Sequence, residues 1–175
     1  GQGVRLPGPT LPNGGGTGAV NDWTLFIDIL FPAESSGKKR SVLEIIGPEF
    51  VANGADAEVL VDAQNKIGFK DFTGGEIKPD TWHRIAVVVD YFFNSEARVY
   101  VDGARVARVP LPEGQPDGVW ALDTGFFPGS INGALLFNDD TAETELGYIA
   151  AIQLRDAPLT DGQVFAMGTP ASDGI

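Results

Sequence analysis

Short apolar runs, separated by turn-forming residues, follow one another along the whole chain. The two strongest runs are Trp23–Phe31 and Trp82–Tyr91, and each is apolar on both faces when it is drawn as a strand. Such a strand lies in the middle of a sheet and is covered on both sides. Weaker runs are also predicted to be strands: Val4–Leu6, Ser41–Ile46, Glu58–Val61, Lys66–Phe69, Val119–Leu122, Ala134–Phe137 and Tyr148–Leu154.

One hairpin is specified by its turn. Glu96–Val101 alternates between apolar and polar residues, and Asp102-Gly103 separates it from a second alternating run, Ala104–Val109. An Asp-Gly pair between two strand patterns favours a tight hairpin, because both central turn residues need a positive φ. The only helical pattern is Thr160–Met167, where Thr160 and a glutamine three residues later match a capping box.

These patterns predict an all-β protein, a sandwich of two antiparallel sheets with one short C-terminal helical turn. No internal repeat of fixed period is visible. The residues predicted to form the core are Trp82, Ile85, Val87, Val89, Val99, Val101, Ile152 and Leu154.

The length of 175 residues predicts one domain, residues 1–175. Residues 1–20 contain seven glycines and three prolines, which suits an entry linker or an opening strand with a glycine-rich crossing, and residues 170–175 read as the start of an exit linker. The chain starts with Gly, not Met, and we interpret it as a piece of a longer protein. It contains no apolar run long enough to span a bilayer.

The net charge of −12 argues against nucleic acid and anionic lipid as partners, because both are negatively charged. Cysteine is absent, which excludes a disulfide framework and a thiol nucleophile.

Two segments resemble one family. Thr81–Asp90 with Val99–Gly103 resembles the "W-H-x-φ-A-φ-x-φ-D … Y-φ-D-G" core of laminin-G-like, concanavalin A-like jelly rolls, where φ is apolar. Gly147–Ile149 followed by Gln153–Asp161 resembles the closing strand of that family and the short helical turn after it. The resemblance implies a jelly-roll sandwich.

A narrower resemblance links the chain to laminin-G-like modules attached to bacterial exported hydrolases, metallophosphoesterases among them. It is carried by Gly14–Gly16, Trp23–Leu25, Asp28–Pro32 and Ala171–Ile175. It implies a secreted bacterial module, extracellular or periplasmic, that is covalently linked to a catalytic domain. Many family members carry an Asp pair near a calcium ion in the closing strand, but this chain has Ala150-Ala151 there, so that metal position is not carried over.

Aromatic residues in loop-like segments are candidates for binding sugars, whose C–H faces stack on aromatic planes. Trp120, Phe126 and Phe127 form such a group, and Tyr91-Phe92-Phe93 forms another earlier in the chain. Asn138 and Arg98 are candidate hydrogen-bonding partners, and Arg98 has the alternative role of pairing across strands with acidic neighbours. The loop aromatics have an alternative role too, plugging the end of the sandwich.

The segment 138–145 is rich in carboxylates: Asp139, Asp140, Glu143 and Glu145. Calcium binds six to eight oxygen ligands from such loops, so these four are candidate Ca²⁺ ligands. The spacing is not that of an EF-hand, and a solvated acidic turn remains the alternative.

Catalysis has little support. His83 is the only histidine, no G-x-S-x-G elbow exists, and Glu143 with Glu145 provides the only paired-carboxylate candidate for a polysaccharide hydrolase or lyase. The sequence therefore favours a non-catalytic module that binds a polysaccharide or glycoconjugate. The alternative from another class is a structural domain that packs on its parent enzyme.

Overall fold

The computed structural model describes residues 3–7, 13, 18–46, 58–114, 116, 118–123, 133–138, 143–172 and 174–175. Within them, the strands are β1 Val4–Leu6, β2 Ala19–Val20, β3 Asp22–Leu30, β4 Arg40–Ile46, β5 Val59–Val61, β6 Lys66–Phe69, β7 Phe72–Glu76, β8 His83–Asp90, β9 Glu96–Val101, β10 Ala104–Pro110, β11 Leu122–Asp123, β12 Gly133–Leu136 and β13 Tyr148–Arg155. A 3₁₀ turn covers Ala33–Ser35, and α1 covers Asp161–Met167.

The described strands form two antiparallel sheets that pack face to face. One has the strand order β1-β12-β4-β5-β6-β7 and the other the order β10-β9-β8-β3-β13, while β2 and β11 pair separately. The antiparallel jelly-roll sandwich predicted from the sequence is confirmed. The two strongest apolar runs became β3 and β8, which pair with each other and are both interior strands of the five-stranded sheet.

The main core lies between the two sheets. Every second residue of β3 points into it, and Trp23, Leu25, Ile27 and Ile29 are at most 1% exposed. The predicted core residues Ile85, Val87, Val89, Val99 and Val101 are buried in the same cluster. Each buried side chain of this size contributes about 1.5–3 kcal/mol to folding.

The outer face of the five-stranded sheet carries a second, smaller core. Phe26, Ala86, Val88 and Tyr100 point away from the main core and are covered by Val164 of α1, with Leu159, Met167 and Ile175 packed around them. This explains why β3 and β8 are apolar on both faces: the C-terminal segment folds back over them.

Helix α1 begins as the sequence predicts. Thr160 is the N-cap, its hydroxyl accepts the Gln163 N–H at 3.3 Å, and Gln163 Oε1 accepts the Thr160 N–H at 2.8 Å. The capping box is confirmed. No helix in the described part of the chain is long and apolar enough to cross a membrane.

The Asp102-Gly103 hairpin is also confirmed. Both residues have positive φ, 52° and 83°, and they connect β9 to β10. Asp102 has a second function, because its carboxylate accepts the backbone N–H of Arg84 at 2.9 Å and so ties the turn to β8.

Two core predictions are wrong. Trp82 is 40% exposed and Ile152 is 37% exposed. Trp82 directly precedes β8 on the outer side of the sheet, beyond the area that the C-terminal segment covers. Ile152 pairs with the inward-facing Ile27, but β13 is an edge strand, where the opposite sheet covers less. The predicted core residue Leu154 is half-buried against the core.

Strands β2 and β7 were not predicted. Strand β7 contains Gly74-Gly75, which disfavours a strand by propensity but is required by packing. Strand β10 of the other sheet passes directly over it. A Cβ on Gly74 would overlap with the carbonyl oxygen of Val106, and a Cβ on Gly75 would lie 2.6 Å from Val106 Cγ1. The two sheets therefore approach each other along this side through glycine.

We predict that Gly74→Ala destabilises the fold by about 1–3 kcal/mol, because the added methyl group forces the Val106 backbone away. Gly162→Ala in α1 is the control, since nothing lies within 4 Å of its Cβ position. The control should be neutral or stabilising by up to about 1 kcal/mol. Urea unfolding measures both, and an unchanged midpoint for Gly74→Ala would contradict the close approach.

Candidate functional site

The sandwich has two ends, which we name by residues at the two ends of β3: Trp23 near its start and Phe31 directly after it. The Trp23 end is where β3 begins, and the Phe31 end is where it finishes. The nine residues of β3 separate these ends by ~30 Å at the usual strand rise. The site residues proposed from sequence divide between the ends.

A pocket of about 180 Å³ opens at the Trp23 end. Tyr91 and Trp120 contribute its aromatic walls, and Val119 lies beside them. The other lining residues are Asn21, Leu111, Pro112, Gly118 and Ala121. Both aromatic residues pack partly against the main core, so the pocket is an opening at the end of that core.

Trp120 is held in place by two contacts. Its carbonyl oxygen accepts the indole N–H of the buried Trp23 at 2.8 Å. Its ring meets the ring of Phe69 edge to face, with 5.3 Å between centroids. The Trp120 backbone and ring are therefore positioned by the core, as a preformed binding wall requires.

Tyr91 is positioned by a carboxylate at the start of β3. Asp22 Oδ1 accepts the backbone N–H of Tyr91 at 2.6 Å and that of Phe92 at 3.2 Å. Burial raises the pKa of Asp22, and the negative charge of Asp90 adds to this, while the two N–H groups act in the opposite direction. The Tyr91 hydroxyl has no hydrogen-bond partner among the described residues.

The turn after β8 and the separate turn that contains Val119 present apolar side chains to solvent. Phe93 is 82% exposed, Phe92 is 42% exposed and Val119 is 61% exposed. The Phe92 ring packs edge to face on Tyr91 at 5.2 Å. We call Tyr91, Phe92, Phe93, Val119 and Trp120 the aromatic end. Exposed apolar groups concentrated at one place mark a binding surface.

Arg98 does not reach this surface. It is 6% exposed and points to the outer face of the five-stranded sheet, beneath the segment that leads into α1. Its guanidinium donates to Asp161 at 3.0 Å, to the Leu159 carbonyl at 3.1 Å and to Asp90 at 3.3 Å. The proposal of Arg98 as a ligand contact is corrected by this burial, and its cross-strand alternative describes it better.

Asn138, Glu143 and Glu145 lie at the Phe31 end, away from Trp120. The Asn138 side-chain oxygen accepts the Thr144 hydroxyl at 2.9 Å. Glu143 lies 3.1 Å from Lys39 Nζ, and Glu145 lies 2.9 Å from Lys38 Nζ. Asn138 and Trp120 therefore do not form one site.

The described carboxylates do not form a calcium cage. A cation at Glu143 and Glu145 would have to displace two lysine ammonium groups, and no group of three or more His, Cys, Asp or Glu side chains in the described residues is arranged to hold a metal. The other two proposed ligands, Asp139 and Asp140, lie outside the described residues, as do Phe126 and Phe127. Calcium binding stays a prediction.

His83 has a structural role. Its Nε2 accepts the backbone N–H of Lys78 at 3.0 Å, so that nitrogen carries no proton. Its Nδ1 therefore donates to Asp102 Oδ2, at 2.7 Å. The pair looks like the base and orienting acid of a triad, but the nitrogen that would take a proton is already occupied. His83 joins three segments of the Phe31 end.

We predict that Asp22→Asn stabilises the protein near pH 7. The folded state raises the Asp22 pKa, so ionised Asp22 costs stability at neutral pH, and this cost vanishes as the pH falls through the raised pKa towards 3.8. Both N–H groups donate to the same oxygen, Asp22 Oδ1, so the side-chain oxygen of an asparagine can accept both hydrogen bonds. Urea unfolding across pH should show the variant's advantage shrinking in acid.

Asp161→Asn is the matched control with opposite sign. The hydrogen bond from Tyr100 lowers the Asp161 pKa, and Arg105 and Arg98 add to this against a weaker effect of burial. Ionised Asp161 therefore stabilises the fold above pH ~4 and loses this effect as the pH falls through the lowered pKa. Asp161→Asn should be less stable than the parent near pH 7. If both variants change the free energy of unfolding in the same direction, the opposite pKa shifts of Asp22 and Asp161 are refuted.

No family model matches the sequence, and a search of curated proteins finds no match. Solved structures do resemble it. The CBM40 of Ruminococcus gnavus IT-sialidase, bound to α2,3-sialyllactose, is 13% identical with a TM-score of 0.57, covering 96% of this chain and 97% of that one. A heptameric SAP-like pentraxin from Limulus polyphemus is 15% identical with a TM-score of 0.58, covering 90% and 73%.

Domain 4 of AbnA, a GH43 extracellular arabinanase from Geobacillus stearothermophilus, in complex with arabinotriose, is 19% identical with a TM-score of 0.53. The match covers 95% of this chain and 72% of that one. At these identities the likeness establishes the fold. The chain is similar in architecture to jelly-roll sandwich domains found in carbohydrate-binding modules and pentraxins.

Proposed function

We propose that this chain is a non-catalytic module that binds a polysaccharide or glycoconjugate. The observation that carries the proposal is the aromatic end, where Tyr91 and Trp120 border a pocket and Phe93 stands almost fully exposed. A monomeric soluble protein gains nothing in stability from a phenylalanine in water, so a cluster of such groups favours a ligand.

The chemistry of the aromatic end suits sugars. A sugar ring has an apolar face of C–H groups that packs on an aromatic plane, and a rim of hydroxyls that needs polar partners. The pocket is lined mainly by apolar residues, and its lining residues with polar side chains are Asn21, which is 2% exposed, and Tyr91, whose hydroxyl lies buried in the wall. Ligand sites usually combine mostly apolar walls with a few polar groups.

Two features of the Phe31 end support a non-catalytic role. His83 already accepts a backbone hydrogen bond at the nitrogen that a general base would use. Glu143 and Glu145 form ion pairs with Lys39 and Lys38, so they are not arranged as the paired carboxylates of a glycosidase. The alternative of a hydrolase or lyase therefore has little support from the described residues.

The similar structures support the proposal at the level of ligand class. Two of them are described with bound sugars, sialyllactose in one and arabinotriose in the other. We further propose, from the sequence resemblance, that the module is laminin-G-like and belongs to an exported bacterial protein with a linked catalytic domain. The sequences on both sides of this chain would test that part directly.

Phe93→Ala should weaken glycan binding by about three- to tenfold, because one aromatic contact contributes roughly 0.5–1.5 kcal/mol. The ligand is first found by screening the purified chain on a glycan array, and its affinity is then measured by calorimetry. Phe165→Ala is the matched control, since Phe165 is 72% exposed on α1, away from the aromatic end. The control should bind like the parent.

Two results would contradict the proposal. Equal affinities of both variants and the parent would remove the aromatic end from the site. Binding to no glycan, together with a stable complex between this chain and its neighbouring catalytic domain, would establish the alternative of a structural domain.

Calcium is tested separately. If the carboxylates of segment 138–145 hold Ca²⁺, millimolar calcium raises the melting temperature relative to chelator, because a ligand that binds only the folded state stabilises it. Lys38→Ala with Lys39→Ala should then increase the effect, since the lysines compete for Glu145 and Glu143. If the melting temperature is the same with calcium as with chelator, both in the parent and in the double lysine variant, the segment is a solvated turn.

A further inference from the structure

A second aromatic surface lies on the outer face of the five-stranded sheet, at the Phe31 end. Strand β3 alternates, so its residues Asp28 and Leu30 point outward when Ile27 and Ile29 point into the main core. Tyr148 pairs with Leu30 on one side. On the other side His83 pairs with Ile29, which places Trp82 opposite Leu30. The three side chains therefore form a row across three strands.

The row presents two aromatic rings to solvent. Trp82 is 40% exposed and Tyr148 is 50% exposed. Two strand spacings separate them, ~10 Å, with the half-buried Leu30 between. This distance exceeds the length of one sugar residue, so it suits two residues of one oligosaccharide that are separated by a third, not the two faces of one sugar.

A groove of about 400 Å³ lies beside the row. Trp82 forms one wall, and the C-terminal segment Pro170–Ser172 with Gly174 forms the other. The floor is made by Ala150, Ala151 and Asp28. Small side chains on β13 give the groove its depth, since any larger residue at Ala150 or Ala151 would fill it. We call this site the Trp82 groove.

The charge at the floor is compensated internally. Asp28 Oδ1 and Oδ2 accept Arg84 Nε and Arg84 NH2 at 2.7 and 2.8 Å. The same guanidinium donates to the carbonyl of Met167 at 2.7 Å and to that of Gly174 at 3.0 Å. With its donors committed in this way, Arg84 offers little to the carboxylate of an acidic sugar, and no other cationic side chain lines the described groove.

The remaining polar groups suit neutral hydroxyls. Ser172 lines the groove, and β13 is an edge strand of its sheet, so among the described residues one side of its backbone has no strand partner. Hydroxyl, N–H and carbonyl groups can exchange hydrogen bonds with sugar hydroxyls without any formal charge. The overall charge of −12 further disfavours an anionic ligand.

We propose that the Trp82 groove is a second binding site, specific for a neutral oligosaccharide segment that stacks on Trp82 and Tyr148. The inference rests on the proposed function in that its ligand is a glycan. The inference goes further because it names a separate surface, ~30 Å along β3 from the aromatic end, and because it specifies that the ligand is uncharged. Acidic glycans such as sialyllactose are expected to leave this groove empty.

The experiment uses the three tryptophan indole N–H signals of the ¹⁵N-labelled chain, assigned by Trp→Phe variants. Trp82 reports on the groove and Trp120 on the aromatic end, while Trp23 is buried. Cello-, xylo-, manno- and arabino-oligosaccharides are added in turn, with sialyllactose and oligogalacturonate as acidic probes. At least one neutral probe should shift the Trp82 signal, and the acidic probes should not.

Trp82→Ala and Tyr148→Ala should each weaken binding of that neutral probe by about three- to tenfold. Ala151→Leu, which fills the groove, should also weaken it while both aromatic residues remain. Phe165→Ala is again the control, and thermal melts verify that all variants are folded. A neutral probe bound with unchanged affinity by all three groove variants would overturn this inference and leave the proposed function intact.

Two further outcomes separate the proposals. A Trp82 shift caused only by acidic probes would overturn the charge class and with it this inference, while glycan binding itself would stand. Failure of every glycan to shift either Trp82 or Trp120 would overturn both. If an added peptide shifts the Trp82 indole signal and no sugar does, the groove binds a polypeptide and the inference is overturned.

Discussion

The buried ion pair between Arg84 and Asp28 closes one side of this sandwich. Strands β3 and β8 are apolar on both faces, so the fold needs a cover for the outer face as well as an opposing sheet. Arg84 holds the C-terminal segment on this outer face, because the guanidinium that binds Asp28 also donates to the carbonyls of Met167 and Gly174. Removing one partner of such a pair leaves a buried charge and costs roughly 3–5 kcal/mol.

Arg98 repeats this arrangement further along the same face. It holds Leu159 and Asp161 at the start of α1, while Tyr100 donates to the same Asp161 carboxylate at 2.7 Å. The last residues of the chain are thus anchored at both ends by arginines that project from interior strands. One consequence is the Trp82 groove, whose outer wall is the part of this segment that Arg84 holds through Gly174.

The sequence predicted most strands, the tight hairpin and the helix cap, because these depend on local periodicity and on turn and cap chemistry. It did not predict which face of a strand would be buried, since the residues that pack on that face lie far away in the sequence. Trp82 was expected in the core and Arg98 on the surface. The observed burial is the opposite, because the C-terminal segment covers Arg98 and leaves Trp82 partly exposed. The glycine-rich strand β7 was missed for a similar reason. Its glycines are required by the close approach of Val106, which lies about thirty residues further along the chain.

The candidate sites also differ in how firmly their aromatic groups are held, and this bears on affinity. Tyr148 is the first residue of β13, and Trp82 directly precedes β8, so both rings project from the ends of hydrogen-bonded strands. Tyr91 and Phe92 belong to a turn, but Asp22 fixes their backbone through two hydrogen bonds, even though burial raises its pKa. Ordering side chains on binding costs about 0.5–1.5 kcal/mol each, so rings that are already in place leave more of their stacking energy for the ligand. An uncharged sugar offers no ion-pair attraction, so for such a ligand rings that are already in place contribute a larger share of the binding free energy.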